Sequence, residues 1–587
     1  MLHKSCLLGI VPALFFGDLT SATPRPSLVA RVPQASTTII PGGAPCGANN
    51  ATNRGCWKNN WNISTDYEGT TPPGKTRTID LFITNVTSFA PDGVAKPVML
   101  VNGAYPPPTI IAEWGDYLNI TVHNQLKDNG TSFHWHGFRQ KNSNNQDGAN
   151  GVTECPIPPG GSRTYSFRAM QYGTSWYHSH FSVQYANGIV GAIQINGPAS
   201  ADYDIDLGPY LVSDWYHRTA DVLQLVSEQA TGPPPHSDNV LFNGSNINPA
   251  GAGGAYNRVK LTPGKKHLVR LINPSAENHF TLSLVGHTFT VIAADLVPVK
   301  PVVKSTLFLA IGQRYDVIIE ATQPVGNYWF NATLDSSGLC GLSNNPFPAA
   351  IFSYQGAPDA LPTDPGARVT ANCHDTTGFT PVVGRTLDPS TFEANEEQLD
   401  INLSTAVTSR GTIFQWLVNG STIDVEWDKP ILQYIAEGNN SFPTNANVVE
   451  LHETTGWTYV AINNLQGGLP HPIHLHGHDF LVLGTSDSGK FNPVTDKSKL
   501  NFNNPVRRDV AMLPNGWLVI AFEINNPGAW IMHCHIAWHV SQGLSVQFLE
   551  LKDQIAKAMH LDQIQPNCNA WRAYWPHAYY PKVDSGL

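Results

Sequence analysis

Gly528-Ala-Trp-Ile-Met-His-Cys-His535 is the last of three related segments in this chain of 587 residues. The other two are Gly173-Thr-Ser-Trp-Tyr-His-Ser-His180 and Gly326-Asn-Tyr-Trp-Phe-Asn-Ala332. A second shared segment precedes each copy and begins at Gly161, Gly312 and Gly516. In each copy, the two segments together are typical of a strand, a turn with glycine and a second strand with a buried aromatic residue. Repetition at a spacing of roughly 170 residues indicates three copies of one domain.

The composition favours an all-β fold. The chain has 50 Gly and 45 Pro, only 14% of its residues are charged, and β-branched runs recur between turn signals. These features are typical of β-sandwiches and β-barrels. An Asn-Gly pair occurs once in each third of the chain, at 102–103, 243–244 and 419–420. We therefore predict an all-β protein with three consecutive domains of one kind.

Charge and hydropathy exclude two classes of partner. The net charge is −10 and the pI is near 6.1. Because nucleic-acid-binding proteins need a basic face, we expect no nucleic acid partner. No stretch beyond the N-terminus is long and apolar enough to span a bilayer, so we expect no membrane span.

The N-terminal residues are typical of a secreted protein. Lys4, the apolar run 6–16 and the small residues 20–22 predict a signal peptide over residues 1–22. Residues 23–45 contain Pro and Ser and are interpreted as a propeptide or leader. Secretion would expose the ten Asn-x-Ser/Thr sequons to N-glycosylation, at Asn50, Asn62, Asn85, Asn119, Asn129, Asn243, Asn331, Asn402, Asn419 and Asn439.

Ten histidines and one cysteine fall into four short clusters. The clusters are His134/His136, His178/His180, His471/His474/His476 and His533/Cys534/His535/His539. Imidazole and thiolate suit copper, zinc and iron. A lone Cys534 between two histidines, without any Cys-x-x-Cys, argues against structural zinc and iron–sulfur sites. One Cys with two His is the ligand set of a blue-copper centre, and eight histidines remain for a polynuclear site.

Side-chain alternation divides these ligands between two sites. In a strand, residues two apart share a face, so each His-x-His pair presents both imidazoles to one side. The pairs 134/136, 178/180, 474/476 and 533/535 would together offer eight nitrogens, enough for three metal ions. Cys534 points the other way and can meet His471 and His539. Its covalent bonds to His533 and His535 would then connect the two sites directly.

The middle copy keeps the domain pattern without the ligands. Aligning Gly286-His287 with Gly477-His478 puts Phe280, Ser283 and Val285 where His471, His474 and His476 stand, and Asn331 near the position of His533. We therefore expect metal within the third domain and between the first and third, and none in the second.

The order of these clusters resembles the multicopper oxidases, and in particular the ascomycete laccases. The shared motifs are Asp-Gly-Ala-Asn-Gly-Val-Thr-Glu-Cys-Pro (147–156), residues 173–180 and a terminal Asp-Ser-Gly-Leu (584–587). The resemblance implies three cupredoxin-like Greek-key barrels, over residues 46–199, 200–380 and 381–587, the second of them copper-free. It also implies four copper ions: one type 1, one type 2 and a type 3 pair.

The same resemblance assigns the ligands. The type 1 ion would be held by His471, Cys534 and His539, and the type 2 ion by His134 and His474. One type 3 ion would take His136, His178 and His535, and the other His180, His476 and His533. Leu544 would stand at the axial position of the type 1 site, where a side chain that cannot donate to the metal raises the potential.

Three further residues receive roles by resemblance. His539 is expected near solvent as the electron entry point, and Glu277 as the carboxylate that takes the proton of a phenol. Asp147 is the expected proton donor near the type 2 copper. The alternative interpretation of Glu277 is a surface acid in a loop. The alternative for Asp147 is a turn Asp that precedes Gly148.

The remaining cysteines and the C-terminus complete the resemblance. With Cys6 in the signal peptide and Cys534 on copper, six cysteines remain, and they can pair in many ways. The resemblance implies Cys46–Cys56, Cys155–Cys568 and Cys340–Cys373. It also implies that the tail, 584–587, enters the channel to the trinuclear site, where Ser182, Ser541 and Asp584 form a gate. A frayed tail is the alternative.

The expected activity is that of a secreted, monomeric laccase, which oxidises phenols and aromatic amines and reduces O₂ to water. Other multicopper oxidases that act on ascorbate, bilirubin or metal ions are the alternative. Only six Met, with no Met-rich insert, disfavours a methionine-rich metal oxidase. A copper-storing glycoprotein without turnover is disfavoured because storage does not require eight ligands in four facing pairs.

Overall fold

The computed structural model describes residues 46–587, apart from Asn59, residues 230–233, Arg368 and Asn395. The predicted signal peptide (1–22) and leader (23–45) lie outside the described residues. Within the described part of the chain, no helix is long and apolar enough to cross a membrane.

The first third of the described chain forms two four-stranded sheets. Its strands are β1 (Thr76–Phe89), β2 (Lys96–Val101), β3 (Ile110–Glu113), β4 (Tyr117–Asn124), β5 (Phe133–His136), β6 (Ser162–Arg168), β7 (Gly173–Ser179) and β8 (Val190–Asn196). Their orders are β2-β1-β4-β6 and β3-β8-β7-β5. The four-residue strand β5 carries two of the candidate histidines at one edge of its sheet.

The middle third forms a six-stranded and a five-stranded sheet. Its strands are β9 (Ile205–Trp215), β10 (Asn239–Phe242), β11 (Arg258–Leu261), β12 (Lys266–Ile272), β13 (Phe280–Leu284), β14 (Phe289–Ala294), β15 (Val297–Lys304), β16 (Leu307–Leu309), β17 (Arg314–Glu320), β18 (Asn327–Thr333) and β19 (Ala349–Tyr354). Their orders are β10-β9-β12-β17-β14-β15 and β11-β19-β18-β13-β16.

The last third repeats the orders of the middle one. Its strands are β20 (Glu396–Thr408), β21 (Gly411–Val418), β22 (Val448–Glu450), β23 (Trp457–Asn464), β24 (His471–Leu475), β25 (Phe480–Ser486), β26 (Val506–Arg508), β27 (Val510–Leu513), β28 (Trp517–Glu523), β29 (Gly528–Cys534) and β30 (Ser545–Glu550). Their orders are β21-β20-β23-β28-β25-β26 and β22-β30-β29-β24-β27.

Short helices connect the sheets. The α-helices of the described chain are α1 (Ala220–Ser227), α2 (Ile431–Ala436), α3 (Ala537–Ser541), α4 (Lys552–Ala558) and α5 (Ile564–Tyr574). Single turns of 3-10 helix occur at Asn144–Gln146, Gln184–Asn187, Pro389–Ala394, Thr444–Ala446, Lys497–Lys499, Leu561–Gln563 and Trp575–His577. Helix α3 carries His539 and directly follows β29, so the last ligand stays close to Cys534.

The predicted threefold repeat and all-β fold are confirmed. The repeated segments are β7, β18 and β29, and each is the third strand in one sheet of its domain. The segments that precede them are β6, β17 and β28, again equivalent. Each pair of sheets is a cupredoxin-like domain, so one strand pattern was used three times.

The three Asn-Gly pairs are equivalent tight turns. Asn102, Asn243 and Asn419 have φ of 50°, 45° and 51°, and the glycines that follow are also left-handed. Two successive left-handed residues form the type I′ turn, for which Asn-Gly is the preferred sequence. The repeat therefore extends to the backbone conformation of this turn.

Burial separates the strands near the candidate ligands from those at the surface. In β4 the side chains alternate between buried and exposed, as expected for a sheet with one solvated face. In β7 and β29 every residue is buried, so both faces of these strands are covered. The histidines on these strands therefore point into the interior of the protein.

The three disulfides implied by the resemblance are confirmed. Cys46 pairs with Cys56, Cys155 with Cys568, and Cys340 with Cys373. The second bridge joins positions 413 residues apart and fastens α5 to the first third of the chain. Cys534 is the free cysteine of the described chain and is buried.

The C-terminal tail is packed and is not frayed. The Ser585 amide donates to the Ser541 carbonyl at 2.8 Å, and Ser182 Oγ donates to the Asp584 carboxylate. The Gly586 carbonyl accepts from Asn150 Nδ2 at 2.6 Å, and Leu587 is buried. The tail is thus held by the three residues of the expected gate and by the first domain.

Candidate metal centre

Two pairs of adjacent strands bring eight histidines together. In the first domain, β5 pairs with β7 and places His134 opposite His178. In the third, β24 pairs with β29 and places His474 opposite His533. The two pairs face each other across the domain boundary, where His134 Nε2 and His474 Nε2 are 3.5 Å apart. The cluster therefore requires both domains.

Three groups of these ring nitrogens are compact enough to hold a metal ion, and the first contains the expected type 2 pair together with His136. In each group, the possible ligand atoms all lie within 4.8 Å of one another. The groups are His134/His136/His474, His136/His178/His535 and His180/His476/His533. All eight side chains are buried, so bulk water does not solvate these nitrogens, and a metal ion is a ligand that would satisfy them.

Unpartnered nitrogens show that the pocket fits cations. Among the described residues, ring nitrogens of His136, His178, His180 and His535 are buried without any hydrogen-bond partner. Leaving buried polar atoms unpaired is costly unless a ligand satisfies them. Burial also lowers the pKa of His533 to about 4 and that of His535 well below its usual range. Neutral imidazoles are the form that binds metal.

A second group lies on the opposite face of β29. Cys534 Sγ is 3.6 Å from Nδ1 of His471 and 3.6 Å from Nδ1 of His539, and those two nitrogens are 3.1 Å apart. Burial raises the pKa of the Cys534 thiol well above its usual range. The thiol must therefore lose its proton when a metal binds. His539 is partly exposed, as the expectation of an electron entry point requires.

Leu544 lies next to this group in an apolar pocket. Its carbonyl accepts from the Cys534 amide at 3.1 Å, and its own amide donates to the His539 carbonyl at 3.0 Å. A small cavity of ≈ 10 Å³ is lined by Leu544, Cys534 and Ile473, among others. The backbone thus ties Leu544 to two of the expected type 1 ligands.

Asp147 binds two histidines of the cluster. Its Oδ2 accepts from His476 Nδ1 at 2.7 Å, and its carbonyl accepts from His134 Nδ1 at 2.9 Å. These bonds leave the Nε2 atoms of both rings directed at the cluster. Carboxylate and carbonyl acceptors of this kind orient metal-binding imidazoles.

Asp509 has a comparable position and was missed by the sequence analysis. Its carbonyl accepts from His474 Nδ1 at 2.8 Å, and its Oδ1 is 3.1 Å from His136 Nε2. Arg314 of the second domain holds this carboxylate with two bonds of 2.6 and 2.7 Å. Burial raises the pKa of the Asp509 carboxyl, and Arg314 opposes that rise. The second domain therefore contributes to the site without any ligand.

A usable sequence signal for Arg314 existed. The first two copies of the repeat both read Gly-x-Arg, at Gly161-Ser-Arg163 and Gly312-Gln-Arg314. Both arginines meet a buried carboxylate: the buried Arg314 binds Asp509, and the partly buried Arg163 pairs with Glu154 at 3.0 Å. A charged residue repeated at the start of equivalent strands indicates a charge with a partner inside the protein.

Glu277 is buried beside the helix that carries His539. The amide of Ala537 in α3 donates to the Ala276 carbonyl at 2.9 Å. The Asp214 carboxylate accepts three successive backbone amides, from Ala276, Glu277 and Asn278, and so fixes this loop. Among the described residues, Glu277 Oε2 has no hydrogen-bond partner. It is therefore not the surface acid of the alternative interpretation.

Burial, and then the charge of Asp214, raise the pKa of Glu277 from 4.5 to about 8. The unfolded chain releases this proton at lower pH than the folded chain does. The native state therefore loses stability as the pH rises from about 4.5 to about 8.

The second domain has other residues at the ligand positions. Ser283 of β13 lies opposite Asn331 of β18, in the register that joins His474 to His533 in the third domain. The Ser283–Asn331 pair offers neither imidazole nor thiolate to a metal, which agrees with the alignment of the repeats.

The comparisons with known proteins agree with this geometry. Family models described as multicopper oxidase match residues 83–200, 207–357 and 424–554. The chain is 54% identical to Laccase-2 of Podospora anserina over 92% of this chain and 89% of that protein. It is 53% identical to the laccase of Neurospora crassa over 98% and 96% of the two. A crystal structure of a laccase from Botrytis aclada superposes with a TM-score of 0.85 at 40% identity, covering 92% of this chain and 100% of that one.

Proposed function

Because this chain belongs to the multicopper oxidase family, we propose that it works as a laccase, which oxidises phenols and aromatic amines with O₂. The observation that carries this proposal is the pair of ligand groups on opposite faces of β29. Four bound copper ions would supply one-electron oxidation at one group and the four-electron reduction of O₂ to two waters at the other. The protein must hold these ions apart, connect them, and move protons.

We assign the ligands as the motifs imply. His471, Cys534 and His539 would hold type 1 copper, with Leu544 at the axial position, and His134 and His474 would hold type 2 copper. The type 3 ions would be held by His136, His178 and His535, and by His180, His476 and His533. The grouping of ring nitrogens within 4.8 Å supports each set.

The two groups are connected through neighbouring residues. Cys534 faces one group, while His533 and His535 face the other. Peptide bonds join Cys534 to His533 and to His535. We infer that electrons entering at His539 pass along this segment, and that the segment is the shortest covalent route between the two groups.

Asp147 and Glu277 are assigned to proton movement. Asp147 touches two histidines of the larger group, and the bond from Nδ1 of His134, a proposed type 2 ligand, to its carbonyl supports a role near type 2 copper. Glu277 lies in the loop bonded to α3, and its unpartnered oxygen is free to accept a proton. A phenol loses a proton as it loses an electron, so a base near His539 assists the reaction.

Glu277→Gln is expected to slow the oxidation of phenols selectively. The base is active when deprotonated, so kcat/KM for a methoxyphenol should rise with pH up to about 8 in the unmodified protein. The variant should lose this rise, and kcat/KM should fall by about 10²-fold. Ferrocyanide, which donates an electron without a proton, is the control and should be unaffected. An equal loss with both donors would contradict the assignment.

The reaction class is tested by oxygen uptake with four donors. We expect the copper-loaded protein to turn over a methoxyphenol with higher kcat/KM than ascorbate, bilirubin or Fe(II). Preference for one of the other donors would identify another oxidase of the family. A fully loaded sample without any uptake would favour copper storage.

We also propose the organisation and location of the protein. The three domains would span 46–199, 200–380 and 381–587, and the chain would be a secreted, N-glycosylated monomer. All ten sequon asparagines are exposed or partly exposed, which supports glycosylation. The intact mass of the secreted protein tests N-glycosylation, and its sedimentation tests the monomeric state.

A further inference from the structure

One face of the sheet β2-β1-β4-β6 in the first domain is polar. In β4, Leu118, Ile120 and Val122 are buried, and the alternate residues point outward. Each outward residue lies opposite a polar residue of β6, in the pairs Tyr117–Arg168, Asn119–Ser166 and Thr121–Thr164. Ser166 Oγ donates to Asn119 Oδ1 at 2.5 Å, and the hydroxyls of Thr121 and Thr164 are 2.9 Å apart.

Two adjoining depressions extend this face toward the C-terminal helices. The first, of ≈ 560 Å³, is lined by Tyr117, Asn119, Lys141 and Arg168. The second, of ≈ 680 Å³, is lined by Gln146, Thr164, His560, Gln563 and Asn567. Both include Asn142, Ser143 and Ser166, so they form one channel. We call it the polar groove.

The lining of the polar groove suits a neutral sugar chain. Amides and hydroxyls offer both donors and acceptors, as sugar hydroxyls require. Tyr117 is 49% exposed, and the Arg168 guanidinium lies 5.3 Å from its ring centroid, which leaves a flat surface for the C–H face of a pyranose.

Two of the three Arg and Lys side chains that line the groove are held by the protein. Arg163 is paired with Glu154, and Arg168 donates to the Pro72 carbonyl at 2.8 Å, whereas Lys141 is the third. Glu154 thus neutralises one of the three positive charges, which weakens the groove as a site for a polyanion.

Asn119 places an attachment point inside this groove. It begins the sequon Asn119-Ile-Thr121, is partly exposed, and lines the first depression. We propose that an N-glycan on Asn119 lies in the polar groove, packed on Tyr117 and reaching α5. The proposal rests on the proposed secretion. The glycan would bridge the first domain and the C-terminal helices, and would stabilise the folded state because the unfolded chain has no groove.

Accessibility of the glycan provides the first test. The full chain is secreted from a eukaryotic host that adds high-mannose glycans, and endoglycosidase H release is followed site by site by mass spectrometry. Asn85, exposed on β1 of the same sheet and lining neither depression, is the matched control. In the native protein, we expect release from Asn119 to be about tenfold slower than from Asn85, with equal rates after denaturation.

Two results of this digestion would overturn the inference. Equal native release rates would show that the glycan extends into solvent, and an empty Asn119 beside an occupied Asn85 would show that no glycan forms. The absence of glycans from all ten sequons would instead count against secretion itself.

Thermal unfolding provides the second test. Thr121→Val removes the sequon and keeps Asn119, whereas Thr121→Ser keeps both the sequon and the hydroxyl. We expect Thr121→Val to lower Tm by on the order of 3 °C, and Thr121→Ser or the control Thr87→Val by no more than about 1 °C. If Thr121→Val keeps its Tm and instead binds a soluble oligosaccharide, the groove serves an external saccharide and the inference is wrong.

Discussion

Cys534→Ser is expected to abolish the blue colour and almost all phenol oxidation. The Sγ atom would be the soft ligand of the smaller group, since it lies 3.6 Å from the two imidazole nitrogens, and a serine oxygen cannot replace a thiolate there. Loss of a central catalytic group typically costs at least about 10³-fold in turnover. The eight histidines of the larger group are untouched, so metal analysis should still find about three copper ions per chain.

The matched variant is His533→Ala, one residue away on the other face of β29. It removes a nitrogen of the larger group and leaves Cys534, His471 and His539 in place. We expect loss of oxygen uptake with much of the blue colour retained. A blue Cys534→Ser variant, or a colourless His533→Ala variant with a full type 1 copper content, would show that the two faces of the strand are assigned wrongly.

Arg314→Leu is expected to destabilise the protein and to weaken copper binding at the larger group. The substitution leaves the fully buried Asp509 carboxylate without its bidentate partner. Breaking a buried pair from one side costs about 3–5 kcal/mol of unfolding free energy. Asp509 also touches His136 and His474, so trinuclear copper affinity should fall by about 10- to 100-fold. Denaturant unfolding of the copper-free protein and copper titration measure the two effects.

Arg270→Leu is the control for the second prediction. Arg270 is also a buried arginine of the second domain, paired with Asp206 at 2.7 Å and Asp316 at 3.0 Å. Both arginines bond to Thr174, but the carboxylates of Arg270 do not touch the histidines among the described contacts. We expect a comparable loss of stability with normal copper content. Equal copper loss in both variants would indicate a general effect of unfolding.

The glycine segments and the histidine clusters made the fold and the candidate ligands predictable. In an extended strand the side chain alternates with each residue, so the sequence His533-Cys534-His535 alone divides its ligands between two faces. The same local rule, applied to the aligned repeats, explains why Ser283 and Asn331 could be assigned to ligand-free positions from the sequence. The paired cysteines and the C-terminal gate were available only through resemblance, since elimination left many pairings open.

Asp509, Arg314 and Asp214 could not be predicted in this way. Arg314 and Asp509 are 195 residues apart, and Asp214 holds a loop that begins 62 residues later. In the sequence Asp509 and Asp214 look like ordinary surface charges, because charged residues are normally solvated. The repeated Gly-x-Arg marks Arg314 but does not identify its carboxylate partner. Their roles depend on burial and on which side chains the packing of the domains brings opposite them.

Turn residues and strand alternation are local and act over a few residues, so the three β domains and the candidate ligands were predictable from the sequence. How the first and third domains face each other, and that the second domain supplies Arg314, depends on tertiary packing. A charge buried between domains is stabilised by a partner distant in sequence, and no local pattern records which partner that is.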